Sequence, residues 1–77
     1  MNELTFEFVQ DGEFYDPYYN VIADEEVNGT IEYDVDEWVL VNIYYDYRFN
    51  SIEFIAIAKK LEQLNESTRK QRIFNWF

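Results

Sequence analysis

The chain has no cysteine and no histidine. The first absence removes any disulfide staple and suits a reducing compartment. Together they remove the thiol and imidazole groups on which the usual nucleophilic triads depend. No apolar run approaches the roughly 18–20 residues that span a bilayer. Met1–Phe8 has neither the basic nor the apolar region of a signal peptide. The expectation is a soluble protein of the cytoplasm, in a bacterium or a phage-infected host cell, with no membrane contact. Most informative is what the first 47 residues lack: not one Lys or Arg occurs among them.

What is there is acid and aromatic. The 77 residues carry a net charge of −10, and 21% are Phe, Trp or Tyr. Residues 1–47 hold 13 of the 16 acids, whereas residues 48–77 hold three acids and all six bases. Solubility alone asks for a charge magnitude of about 2–8. Packing like charges into so small a domain opposes folding, so the one-sided excess points to function. The aromatic content excludes a disordered acidic tail and supplies bulk for a small core.

The hydropathy pattern predicts one α+β domain over 1–77, an acidic β-meander over 1–47 followed by a mildly basic helical part over 48–77. Leu4, Phe6 and Phe8 alternate with Glu3, Thr5 and Glu7, which predicts a strand over about 3–10. Asp11-Gly12 ends it, and Pro17 keeps Glu13–Tyr19 out of a helix. A second strand is expected over about 19–27. Asn28-Gly29 is the pair favoured in two-residue type I′ hairpin turns. After it Thr30–Asp36 alternates, with Ile31, Tyr33 and Val35 inward and Glu32, Asp34 and Asp36 outward. This register sets Glu25 opposite Glu32, a destabilising like-charge pair. Trp38–Tyr47, apolar on both faces, predicts a central strand or one whose second face is partly covered. Asn50 and Glu53 form a capping box, with Phe49 and Phe54 as the staple. Phe54, Ile57, Ala58, Leu61 and Leu64 then give a helix near 51–65. Thr68 and Gln71 suggest a new cap and a second, shorter helix over Ser67–Phe77. That helix would carry Arg69, Lys70 and Arg72 at its start and Ile73, Phe74, Trp76 and Phe77 at its apolar end.

No catalytic residues are assigned. Ser51 and Ser67 are explained by helix starts, and paired carboxylates lack a chain long enough for a deep pocket. Asp24–Glu32 resembles the first nine positions of an EF-hand calcium loop, with Asp24, Glu26 and Asn28 at the first ligand positions. Val35 stands where the bidentate Glu belongs. The hairpin accounts for the same residues and for the alternation after them, so no metal ligand or cofactor is expected. Direct nucleic-acid binding needs a basic stripe that the chain lacks. Arg69-Lys70-Gln71-Arg72 is expected to be a solvated face or to pair with the acidic sheet.

The remaining reading is an acidic binding surface. Glu32, Asp34 and Asp36 form its expected central row. Asp24, Glu25, Glu26 and Glu37 extend it, and Asp11, Glu13 and Asp16 continue it on neighbouring loops. Tyr15, Tyr18, Tyr19 and Tyr44 are candidate anchors. In size, charge and architecture the chain resembles small phage and mobile-element inhibitors that mimic DNA, including anti-CRISPR and anti-restriction proteins and inhibitors of uracil-DNA glycosylase. The resemblance implies a non-catalytic inhibitor whose partner is a basic nucleic-acid-binding protein. The alternative is a small adaptor that docks through its apolar C-terminal helix.

Overall fold

The structure, a computed structural model, describes residues 4–13, 15–41, 44 and 46–75, the last five for the backbone alone. Four strands, β1 (Thr5–Val9), β2 (Tyr18–Ala23), β3 (Glu26–Asp34) and β4 (Glu37–Val41), precede one helix, α1 (Ser51–Asn75). The strands form an antiparallel sheet in the order β1-β2-β3-β4. Asn42, Ile43 and Tyr45, at the end of the strand expected over Trp38–Tyr47, lie outside the described residues. The described strand stops at Val41 and lies at the edge of the sheet, not in its centre.

Alternation decides the two faces. Leu4, Phe6, Tyr19, Val21, Ile31, Trp38 and Leu40 point to the helix and pack with Phe49, Tyr47, Ile57, Leu61 and Leu64. Val21, Ala23 and Ile31 are fully buried. The stripe that α1 turns inward is Glu53, Ile57, Leu61 and Leu64, at helical spacing. Phe54 and Ala58, expected inside, lie largely exposed on a flank. Phe54 still meets the Phe49 ring edge-on at 5.7 Å, so the staple survives.

The start of α1 is closely tied. Glu53 N–H donates to Asn50 Oδ1 (2.8 Å), and Asn50 N–H donates to Glu53 Oε1 (2.9 Å). This is the capping box, satisfying two otherwise orphaned donors. Glu53 Oε2 accepts from the Tyr47 hydroxyl. A buried carboxylate is thereby hydrogen-bonded on both oxygens, with no cation among the described residues paired to it.

Two expectations about connections are corrected. The β2–β3 turn is Asp24-Glu25, not Asn28-Gly29, and the β3–β4 turn is Val35-Asp36. All four of these turn residues have positive φ: 53°, 64°, 42° and 75°. Asn28 instead occupies a bulge in β3, because Val21 pairs with Gly29 and Ile22 with Val27. Its buried side chain donates from Nδ2 to Ala23 O (2.9 Å) and Glu26 O (3.2 Å), bracing the turn from inside. Its carbonyl accepts from Tyr44 N–H (3.2 Å). The register explains the choice. Glu26 now faces Ala23, and Glu32 faces Tyr18 and Val39, so Glu25 and Glu32 never oppose. Val35, expected inward, is 86% exposed in its turn, and Asp36 leaves the strand row.

The expected pair of helices is one. No break occurs at Asn65-Glu66 or Ser67, and Thr68 Oγ1 donates back to Leu64 O (3.0 Å) within the helix instead of capping a new one. Asn65 is used sideways. Its Oδ1 accepts from Trp38 N–H (2.6 Å) and its Nδ2 donates to Trp38 O (3.2 Å), joining the helix to β4. Residues 66–75 carry the helix onward by about 15 Å at 1.5 Å per residue. Phe77 and Trp76 lie outside the described residues.

Candidate functional site

The meander sorts the acids by strand direction. β1 and β3 run toward one end of the sheet, so the β1–β2 loop and the β3–β4 turn meet there. That end receives Asp11, Glu13, Asp16, Asp34, Asp36 and Glu37, with Glu32 one step inside on the face away from the helix. Asp24, Glu25 and Glu26 fall at the opposite end. Eight strand steps separate Glu26 from Asp34, about 26 Å at 3.3 Å per step. This exceeds the ~8 Å screening length at physiological salt threefold. The expected continuous patch is therefore two separate negative poles, and the one at the β1–β2 loop is the larger.

At the larger pole Asp11, Tyr15, Asp16, Tyr18 and Glu32 line a concavity of about 390 Å³. Tyr18 and Glu32 reach it because they are direct cross-strand partners on the open face. Pro17 and the loop before it bring Asp16 and Tyr15 over that pair. Glu32 Oε2 accepts from Thr30 Oγ1 (3.1 Å), which steadies it without neutralising it. The arrangement offers three carboxylates and two phenols to one cationic group. Arg is suited to such a site by its planar fork of donors and its affinity for aromatic faces.

Asp34 and Glu37 flank the β3–β4 turn as direct partners. The like-charge opposition expected at Glu25 and Glu32 thus occurs here instead. Two candidates stand apart from the concavity. Tyr19 faces the helix side, where its ring meets Phe8 at 5.2 Å and Trp38 at 5.4 Å and takes the Lys60 ammonium at 4.8 Å. Tyr44 is exposed beyond β4. Glu7, not among the candidates, lies on the open face and accepts from Asn20 Nδ2 (3.1 Å). Its alternation with Phe6 and Phe8 was the signal for it.

The run Arg69-Lys70-Gln71-Arg72, expected as a solvated face or as a partner of the acidic sheet, is described in part: Arg69 and Lys70 are exposed, and the side chains of Gln71 and Arg72 lie outside the described residues. Lys70 pairs with Glu66 (3.3 Å), one helical turn away on α1. The segment resembling a calcium loop runs through a two-residue turn into extended β3, and no group of three or more ligand-type side chains among the described residues is placed to hold a metal. No helix of the described residues is long and apolar enough to cross a membrane. Compared with known proteins, the chain matches no family model, no curated protein and no solved structure. Its class rests on its own geometry: a small α+β domain with an acidic, tyrosine-lined end.

Proposed function

We propose that this chain is an acidic inhibitor protein that binds a nucleic-acid-handling protein and blocks its basic site by presenting nucleic-acid-like charge. The observation that carries the reading is the convergence of Asp11, Asp16 and Glu32 with Tyr15 and Tyr18 in one concavity. An arginine that ordinarily holds a phosphate finds carboxylate acceptors there and a phenol face to stack on. Asp34 and Glu37 on the adjoining hairpin widen the negative field, and Glu13 adds to it from the loop. The second pole, Asp24 to Glu26, offers a further contact about 26 Å away, the span of roughly eight phosphates along one strand. Long-range attraction speeds encounter, and the tyrosines anchor the complex. No catalysis or cofactor enters.

The test is capture of the partner from extract of the host cell at low salt, followed by challenge with duplex DNA. DNA displaces the partner, and raising the salt releases it. Asp11→Asn with Asp16→Asn and Glu32→Gln together weaken binding at least tenfold. A partner held equally well at high salt, and indifferent to DNA, overturns the proposal.

A second reading, an adaptor docking through the C-terminal part of α1, is favoured by one observation. The helix continues for ten residues past its bond to Trp38. On that reading, deleting residues 71–77 abolishes binding and salt has little effect.

A further inference from the structure

Helix α1 lies off-centre on the sheet. Its close backbone approach is to β4, where Asn65 joins it to Trp38. β1, at the far edge, is left partly bare. Phe8, on the same side of β1 as Phe6, is 54% exposed. Between β1 and the helix flank runs a groove of about 510 Å³ lined by Phe6, Ala56, Lys59, Lys60 and Gln63. Ile52 continues that flank one turn before Ala56 and is 63% exposed; Ile55 beside it is 55% exposed. The first two turns of α1 are thus apolar on the outer as well as the inner side, a patch of the kind that marks an interaction surface.

The groove also carries the wrong sign for this molecule. Lys60 holds its ammonium over the Tyr19 and Phe6 rings, at 4.8 and 5.9 Å. Among the described residues neither Lys59 nor Lys60 makes an ion pair, in a chain with 16 carboxylates. Among the described residues no strand pairs with the outer backbone edge of β1, which is a template for a further strand.

Charge selects the occupant. A second copy pairing β1 to β1 antiparallel would set Lys59 and Lys60 against the same lysines of its mate, because Lys60 lies level with the middle of β1. We infer that β1 and the groove receive an extended acidic segment of a partner protein, which adds to the sheet as a fifth strand. Its backbone pairs with the free edge of β1. One carboxylate on its groove side faces Lys59 and Lys60. Apolar side chains two residues to either side cover Phe8 and the Ala56–Ile52 flank, following the two-residue period of a strand. This site lies on the helix side of the sheet, opposite the face that carries Glu32. It does not depend on the proposal for the acidic end.

The test uses the full chain and a fluorescent strand-length peptide of the pattern apolar–polar–Glu–polar–apolar, followed by anisotropy and by amide chemical shifts. The peptide binds, with shifts concentrated at residues 4–9 and 56–63. Lys59→Glu, at an exposed position, weakens binding at least tenfold. Replacing the peptide's Glu by Lys abolishes it. N-methylation of the peptide backbone along one edge abolishes it, and along the other edge leaves it intact. No binding at millimolar peptide, equal binding of both N-methylated forms, or shifts confined to residues 11–18 overturn the inference. So does sedimentation showing that the free chain dimerises with β1 protected.

Discussion

The start of helix α1 and the tip of the β3–β4 hairpin both carry carboxylates and treat them in opposite ways. Glu53 is buried, and its two oxygens accept from Tyr47 and Asn50. Asp34 and Glu37 are exposed, face each other across a strand pair, and bracket a turn in which Val35 takes a positive φ. At the first site the carboxylate joins loop, helix and core. At the second, charge and backbone are both held in arrangements that oppose folding. Stability and the candidate binding surface thus occupy different parts of the molecule, and acids of the same type serve each.

The largest way to break this contrast is Glu53→Ala. It strands the Tyr47 hydroxyl and the Asn50 amide and removes half of the capping box, at a cost of about 3 kcal/mol. In a domain of this size, most of the stability goes with it. Urea unfolding reads the effect, and a loss below ~1 kcal/mol would refute the structural role given to Glu53. Val35→Asn has the opposite sign. It replaces a β-branched residue in left-handed conformation by one that tolerates it and stabilises the fold by about 1 kcal/mol. An unchanged urea midpoint would mean that the turn is unstrained. Glu37→Lys turns the repulsion with Asp34 into attraction and stabilises by about 0.5 kcal/mol; on the proposed function it also weakens capture of a basic partner. If stability and capture rise together, the hairpin tip is no part of the binding surface.

The smallest effect is confined to alkaline solution. The hydrogen bond to Glu53, aided by burial and by the negative charges of Glu53 and Asp24, pushes the Tyr47 phenol up to about 12 from its ordinary 10.0. A group that keeps its proton longer in the folded state stabilises fully below the unfolded value. That contribution fades as the pH climbs from 10 toward 12. Tyr47→Phe flattens this limb of the stability profile, and tyrosinate absorbance of the native protein shows one phenol titrating late. Identical alkaline limbs in the two proteins would dissociate Tyr47 from Glu53.

Local signals carried much of the fold. Period-two alternation placed Leu4, Phe6, Ile31 and Glu32 on their faces, and Asn50–Glu53 marked the helix start to the residue. Signals that compete with longer-range pairing did not. Asn28-Gly29 is the better turn in isolation, but a turn there aligns Glu25 with Glu32. Moving it to Asp24-Glu25 keeps Val21 and Ile31 together in the core and turns Asn28 into the bulge that braces the hairpin. Thr68 read as a cap because its hydroxyl suits one, yet it bonds backward inside an unbroken helix. All five residues around the acidic concavity were candidates from composition and alternation. The division of the acids between two ends was not visible, since it follows from which strands run together. Tyr19 was misplaced because, of two adjacent tyrosines, only the register decides which one faces the helix.

The paired bonds from Asn65 to Trp38 have a consequence for how this protein grows, or fails to. Trp38 turns its amide and carbonyl away from β3, toward the side on which another strand would attach, and the Asn65 carboxamide already occupies them in the manner of a neighbouring chain. A ribbon open along both borders can recruit molecules without end, which is how fibres begin. With a stopper on one border, addition ends after a single step. Removing that stopper, by Asn65→Leu, would expose a second sticky border, and concentrated solutions of the variant would turn fibrous where the parent stays clear.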